Sequence, residues 1–171
     1  GSNNIAIGVL ALSAEDTGGK NIAIGFQSLA AQNYNGDAFN VAIGYQAGST
    51  VTTGVENILI GGNAGDALTS GNYNIAIGRN ALSAEDAHGR NVAIGHSALA
   101  AQDAGADAYN VAVGFEAGNA MTTAIENTLV GAFAGDALTT GVQNVAVGAG
   151  ALGSEDTKGK SVAIGYVALN A

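Results

Sequence analysis

The sequence contains no cysteine, no proline and no tryptophan. The absence of cysteine excludes a disulfide framework and any cysteine-based zinc or redox site. The absence of proline, together with glycines that follow no three-residue period, excludes a collagen helix. Basic residues are also scarce, with five Lys and Arg against 14 Asp and Glu, and the formal net charge is −9. Nucleic acid and anionic membranes are therefore poor partners, because both require clustered basic side chains.

Charged residues of both signs make up only 11% of the chain, whereas about 25% is typical of globular proteins. Disordered chains usually carry more charge and fewer Ile, Val and Leu, so the composition indicates an ordered chain. The 27 glycines are scattered through the sequence, which argues against long helices. No apolar run approaches the roughly 20 residues that a membrane-spanning helix needs, so we expect no membrane insertion.

An internal repeat organises the chain. Its motif is Asn (once Ser), a β-branched residue, Ala or Leu, Ile or Val, and then Gly. The copies start at Asn4, Asn21, Asn40, Asn57, Asn74, Asn91, Asn110, Asn127, Asn144 and Ser161. Steps of 17, 19, 17 and 17 residues occur twice, so four units make a 70-residue super-repeat. Residues 4–73 and 74–143 are two copies, and 144–171 begins a third. We interpret residues 1–171 as one repeat domain, an excerpt of a longer array, because no linker divides it.

Each repeat unit reads as a short strand, a glycine turn, a second extended segment and a polar turn. Ile5, Ala6 and Ile7 form such a strand, and Gly8 follows it. This order at constant spacing predicts an all-β fold, a parallel β-solenoid of about ten coils with 17–19 residues each. The obligatory Gly predicts a positive φ or a close backbone approach. The repeated Asn predicts a ladder of stacked side-chain amides.

The predicted strands are apolar on both faces, because Ile or Val points to one side and Ala to the other. Such a strand is normally covered on both faces. One face fills the coil interior, and the other predicts self-association, for which the small Ala would permit close approach. The pattern leaves open which face lies inside and how many chains associate.

The segment after the glycine turn also alternates. Some coils carry Ala-Leu there and others Ala-Gly, and Leu replaces the strand Ala only at Leu59 and Leu129. We expect neighbouring coils to exchange the source of one core side chain.

The motif Asn-Ile-Ala-Ile-Gly-x-x-Ala-Leu at 4–12 and 74–82, and with Val at 91–99, resembles the head repeats of trimeric autotransporter adhesins. It resembles more closely the repeats of phage tail-fibre-like and bacterial surface-fibre proteins, whose Thr-Thr-Gly-type turns match 52–54 and 139–141. The resemblance covers essentially the whole chain. It implies a left-handed β-roll, a homotrimer, an extracellular place on a cell surface or virion fibre, and adhesion or host recognition without catalysis. A structural shaft or filament subunit with no ligand is the alternative.

Paired carboxylates recur every 70 residues in polar turns that we call the acidic turns. The pairs are Glu15 and Asp16, Glu85 and Asp86, and Glu155 and Asp156. They are weak calcium candidates, because calcium takes six to eight oxygen ligands and one pair supplies too few. We predict solvated turns with local ion pairs to Lys20, Arg90 and Lys160, and neither a metal site nor a cofactor.

The two long turns, Gln32–Phe39 and Gln102–Tyr109, are our first choice for contact with a cell-surface glycan or protein receptor, because turn tips with Tyr suit recognition. A plain surface turn is the alternative. The candidate contact residues are Tyr34, Asn35, Asp37, Asp103, Asp107 and Tyr109.

Catalysis has few candidate residues in this sequence. The two histidines, His88 and His96, do not recur at equivalent places in the super-repeats. We therefore expect no nucleophile–histidine pair and no enzyme activity.

Overall fold

The computed structural model describes residues 1–154, 157 and 159–170. Ten three-residue strands form one parallel sheet in sequence order. The strands are β1 (Ile5–Ile7), β2 (Ile22–Ile24), β3 (Val41–Ile43), β4 (Ile58–Ile60), β5 (Ile75–Ile77), β6 (Val92–Ile94), β7 (Val111–Val113), β8 (Thr128–Val130), β9 (Val145–Val147) and β10 (Val162–Ile164). The predicted all-β parallel solenoid is confirmed. Over the described ranges, no helix is long and apolar enough to span a membrane.

Each coil is numbered by its strand and begins at the Asn or Ser before that strand. Equivalent residues of successive strands pair with each other, as Ile5 does with Ile22 and Ile22 with Val41. The second of these steps crosses a 19-residue coil, yet the register is unchanged. The two extra residues are therefore accommodated in the long turn, and the sheet continues without a bulge.

The interior of the solenoid receives the central residue of each strand. Ala23, Ala42 and Leu59 are fully buried, whereas the flanking Ile and Val residues are half-buried or exposed. The Ala face is thus the inside face, because Leu side chains from the opposite segment already occupy most of the coil interior. The expectation that small Ala residues would permit close approach between chains is wrong, since the outward side chains are the large ones.

The turn after each strand explains the obligatory glycine. Gly61 has a φ of +134°, and a Cβ there would lie 2.5 Å from the carbonyl oxygen of Gly78 in the next coil. Both predicted reasons for glycine, the positive φ and the close backbone approach, therefore apply at once. A side chain at this place would push the stacked coils apart.

The alternation between Ala-Leu and Ala-Gly coils has a packing cause. Gly48 and Gly65 occupy the place that Leu29 and Leu82 occupy in neighbouring coils, and all four have φ between +47° and +58°. A Cβ on Gly48 or Gly65 would lie 2.6 or 2.7 Å from a methyl group of Leu59. The Leu59 side chain therefore fills the space that the two glycines leave open. The expected exchange of a core side chain between coils is confirmed.

The second super-repeat is built in the same way. A Cβ on Gly118 or Gly135 would lie 2.8 or 2.9 Å from a methyl group of Leu129. The glycine pair and the strand leucine thus recur together 70 residues later, which indicates one packing unit.

The repeated Asn side chains are buried and connect three coil segments. Asn57 Oδ1 accepts the backbone N–H of Asn74 at 2.9 Å, and Asn57 Nδ2 donates to the Gly71 carbonyl at 2.9 Å. Each such Asn thereby closes its own coil and holds the start of the next. The expected amide-to-amide ladder is present only in part, for example from Asn57 Nδ2 to Asn40 Oδ1 at 3.2 Å. Backbone groups are the principal partners, because an Asn at a strand entrance faces two otherwise unpaired backbone groups.

Candidate functional site

The outward face of the sheet is a continuous apolar surface, which we call the outward Ile/Val face. It consists of the first and third residue of every strand, and Thr128 is the one residue among them that is neither Ile nor Val. Ile43, Ile58 and Val147 near the middle of the rod are 36–38% exposed. An open cavity of about 410 Å³ borders this face and is lined by Phe39, Val41, Glu56 and Ile58.

The two long turns lie exposed at the side of the rod, as the candidate partner contacts require. Tyr34, Asn35 and Asp103 are exposed, and Tyr109 is 54% exposed.

Two of the candidate contacts are already engaged within the chain. Asp37 pairs with Lys20 Nζ at 2.8 Å, and Asp107 pairs with Arg90 Nε at 2.8 Å. Lys20 and Arg90 therefore connect to the long turn of the next coil, and the local ion pairs expected within their own acidic turns do not form.

Aromatic rings stack along the rod between neighbouring coils. The rings of Phe26 and Tyr45 lie 5.4 Å apart and nearly parallel, and those of His96 and Phe115 lie 5.3 Å apart. The Arg90 guanidinium lies 5.1 Å from the ring of Tyr73. These contacts are structural, because each ring covers the apolar surface of the adjacent coil.

The acidic turns contain a buried glutamate rather than a solvated carboxylate pair. Glu85 Oε1 accepts the backbone N–H of His88 at 3.2 Å, and Glu15 Oε1 makes the equivalent bond to Gly18 at 2.5 Å. The Glu85 side chain is fully buried, and Oε2 of each glutamate is buried without a hydrogen-bond partner. The expectation of a solvated turn is wrong for Glu85 because its aliphatic stem and carboxyl fold under the coil. Asp86 and Asp16 are exposed. Glu155 and Asp156, the third pair of calcium candidates, lie outside the described residues.

Four ligand-type side chains meet between coils 5 and 6, and we call them the coil 5–6 cluster. One ligand atom from each of Glu85, Asp86, His88 and Asp103 lies within 4.8 Å of the others. His88 Nδ1 lies 3.7 Å from Glu85 Oε1 and is itself buried without a hydrogen-bond partner.

The electrostatics of this cluster are unfavourable for an isolated chain. Burial raises the pKa of Glu85 above 4.5, and the charges of Asp103 and Asp86 raise it further, while the His88 N–H lowers it in part. Arg90 belongs to the same turn, but its guanidinium is held by Asp107. Three carboxylates thus crowd around one imidazole.

Sequence reasoning had not linked His88 and Asp103 to the acidic turn. His88 was set aside because it does not recur, and Asp103 was assigned to partner contact. The repeat spacing contained a usable signal, since Asp103 follows Asp86 by 17 residues, the length of one ordinary coil.

No family model matches the chain, and comparisons with curated proteins and with solved structures give no match. The fold defines a β-solenoid repeat protein.

Proposed function

We propose that this chain is a non-enzymatic segment of a homotrimeric fibre, placed outside the cell on a surface or virion, that contributes to attachment. The observation that supports self-association is the outward Ile/Val face. Ten strands at about 4.8 Å spacing make this apolar strip roughly 43 Å long. Extended apolar strips on otherwise polar surfaces mark interaction sites, since leaving them in water is unfavourable.

A second copy of the same chain is the occupant that suits this face. Its Ile and Val rows have the same coil spacing, so the side chains of two copies can interdigitate along the whole rod. The trimeric state and the extracellular location rest on the resemblance of the repeats to fibre and adhesin repeats. The non-enzymatic assignment rests on the repeat pattern, in which the two histidines have no counterparts.

Attachment would use the exposed tips of the long turns, of which Tyr34 and Asn35 leave the rod surface without the ion pair that holds Asp37. Three chains would present three such tips side by side, and weak contacts gain strength from multivalency. A glycan or protein on a host or prey surface is the partner class. A shaft without a ligand is the second candidate, because the outward face accounts for self-association alone.

Sedimentation velocity tests the assembly. We expect a species of about three times the 16.6 kDa chain mass. The double variant I75E/I77E places two carboxylates on the outward face and should lower that mass, whereas S83E, on a turn, should leave it unchanged. A folded parent that sediments as a monomer would refute the proposal.

Glycan-array and whole-cell binding test attachment. Replacing 33–38 and 103–108 with short turns should abolish binding while the sedimenting mass stays the same. If the parent binds no surface and instead polymerises end to end, the shaft is the correct function.

A further inference from the structure

We propose that the coil 5–6 cluster is a binding site for a divalent transition-metal ion of the Zn²⁺ class. Glu85, His88 and Asp103 supply the ligands, and Asp86 supplies a fourth. The ion would join the acidic turn of coil 5 to the long turn of coil 6. This site is independent of the proposed fibre function.

The first argument is the state of the buried groups. The Glu85 side chain has 0% exposure, and its Oε2 atom has no hydrogen-bond partner. His88 Nδ1, in the same cluster, is likewise buried and unpartnered. Buried polar atoms are nearly always satisfied, so two orphaned atoms in one place indicate a ligand that both can reach.

The second argument is the donor set. An imidazole nitrogen combined with carboxylate oxygens suits Zn²⁺ and related ions, whereas calcium and magnesium prefer oxygen ligands alone. Four ligands also match the tetrahedral preference of Zn²⁺. Calcium would need six to eight oxygens, which the three carboxylates of the cluster supply only with several waters.

The third argument is distance. Tetrahedral Zn²⁺ with bonds of about 2.0–2.2 Å holds its ligand atoms roughly 3.4 Å apart. The four ligand atoms already lie within 4.8 Å of one another. Asp86 and Asp103 are exposed and His88 is half-buried, so rotation of these three side chains can close the difference around the fixed Glu85.

The backbone holds the ligands in place from both sides. The Asp86 carbonyl accepts the Thr69 hydroxyl at 2.9 Å, and the Asp103 N–H donates to the Thr122 carbonyl at 2.8 Å. The two ligands are thus fixed by coils 4 and 7, outside the pair that the ion would bridge. Such preorganisation favours binding, because little backbone order remains to be gained.

The chain contains its own matched control. The acidic turn of coil 1 has the same glutamate, Glu15, with the same backbone bond and the same orphaned oxygen. Gly18 stands there in place of His88, and Asn33 in place of Asp103. The H88G and D103N variants therefore convert the site into a turn that this fold already accommodates.

The test is calorimetric titration of ZnCl₂ into the full chain, expressed without a polyhistidine tag and freed of metal by chelator and dialysis. We expect saturable binding of one Zn²⁺ per chain and a higher melting temperature with Zn²⁺ than with Ca²⁺ or Mg²⁺. Co²⁺ should give the intense visible absorption of tetrahedral coordination. Loss of an outer-shell partner alone weakens metal sites about 10–100-fold, so H88G and D103N should each weaken binding by at least about tenfold.

Two control variants decide between this site and general affinity. E15Q and H96A should bind Zn²⁺ like the parent, since neither residue belongs to the cluster. The proposal is overturned if the parent binds no Zn²⁺, if H88G and D103N bind it undiminished, or if Ca²⁺ raises the melting temperature as much as Zn²⁺ does.

Discussion

The packing of Leu59 between two glycines leads to a prediction in which one destabilising substitution rescues another. L59A removes a fully buried side chain. Buried Leu→Ala changes cost about 2–5 kcal/mol of unfolding free energy, depending on how far the site collapses. We expect the upper half of this range, because the stacked backbone of coils 3 and 4 is held by hydrogen bonds on both sides and cannot move inward.

The G65L variant should be destabilising alone and compensating in the L59A background. A Cβ at residue 65 would lie 2.7 Å from a methyl group of Leu59, and overpacking costs about 1–3 kcal/mol. With Leu59 shortened, the new Leu side chain enters the vacated volume. Its left-handed backbone adds about 1–2 kcal/mol, a conformation that Leu29 and Leu82 already adopt at equivalent places with φ of 47° and 52°.

The double-mutant cycle is measured by guanidinium unfolding followed by far-UV circular dichroism at one fixed chain concentration, since assembly makes stability concentration-dependent. We expect L59A/G65L to be more stable than L59A, with a favourable coupling energy toward the top of the usual range of about 0.5–3 kcal/mol. The L129A/G135L pair in the second super-repeat provides a matched replicate. Additive effects within about 0.5 kcal/mol would refute the account of the alternation.

Three further predictions concern buried polar and small residues. N57A should lower the unfolding free energy by about 2–4 kcal/mol, because the Asn74 N–H and a carbonyl lose their partner; N35A, on an exposed turn, should leave the denaturation midpoint unchanged. Burial raises the folded-state pKa of Asp66 above 3.8, so its contribution to stability is present below pH 3.8 and is lost as pH rises through the raised pKa. D66N should therefore gain stability relative to the parent between acidic and neutral pH, and parallel pH profiles would contradict this. A76E should prevent folding because residue 76 is fully buried, and a cooperative melt equal to that of the parent would contradict it.

The fold could be predicted from the sequence largely because the repeat is exact where the backbone is demanding. A Gly such as Gly61 meets the next coil's carbonyl directly, and an Asn such as Asn57 closes its coil, so neither tolerates a shift of register. Strand positions, coil number and the parallel sheet all follow from these two residues. The exchange of core side chains was visible in the alternation around Leu59, although its geometry was not.

The candidate site was much less predictable. The acidic turn was identified at Glu85 and Asp86, but its glutamate was expected in solvent. Burial of Glu85 depends on how the turn folds beneath the coil, which no local pattern encodes. His88 and Asp103 become neighbours only because coils 5 and 6 stack, and a residue that occurs once leaves no repeat signal.

The sequence by itself determined the coil, its period and its register, because glycine and asparagine at fixed spacing satisfy backbone requirements that no other residues meet there. The tertiary structure alone decided which strand face points inward. Both faces are apolar, so the pattern is symmetric, and the choice depends on the width left by the Leu side chains of the opposite segment. That width accepts Ala and excludes Ile and Val, which places the large side chains on the outside, where another chain can cover them.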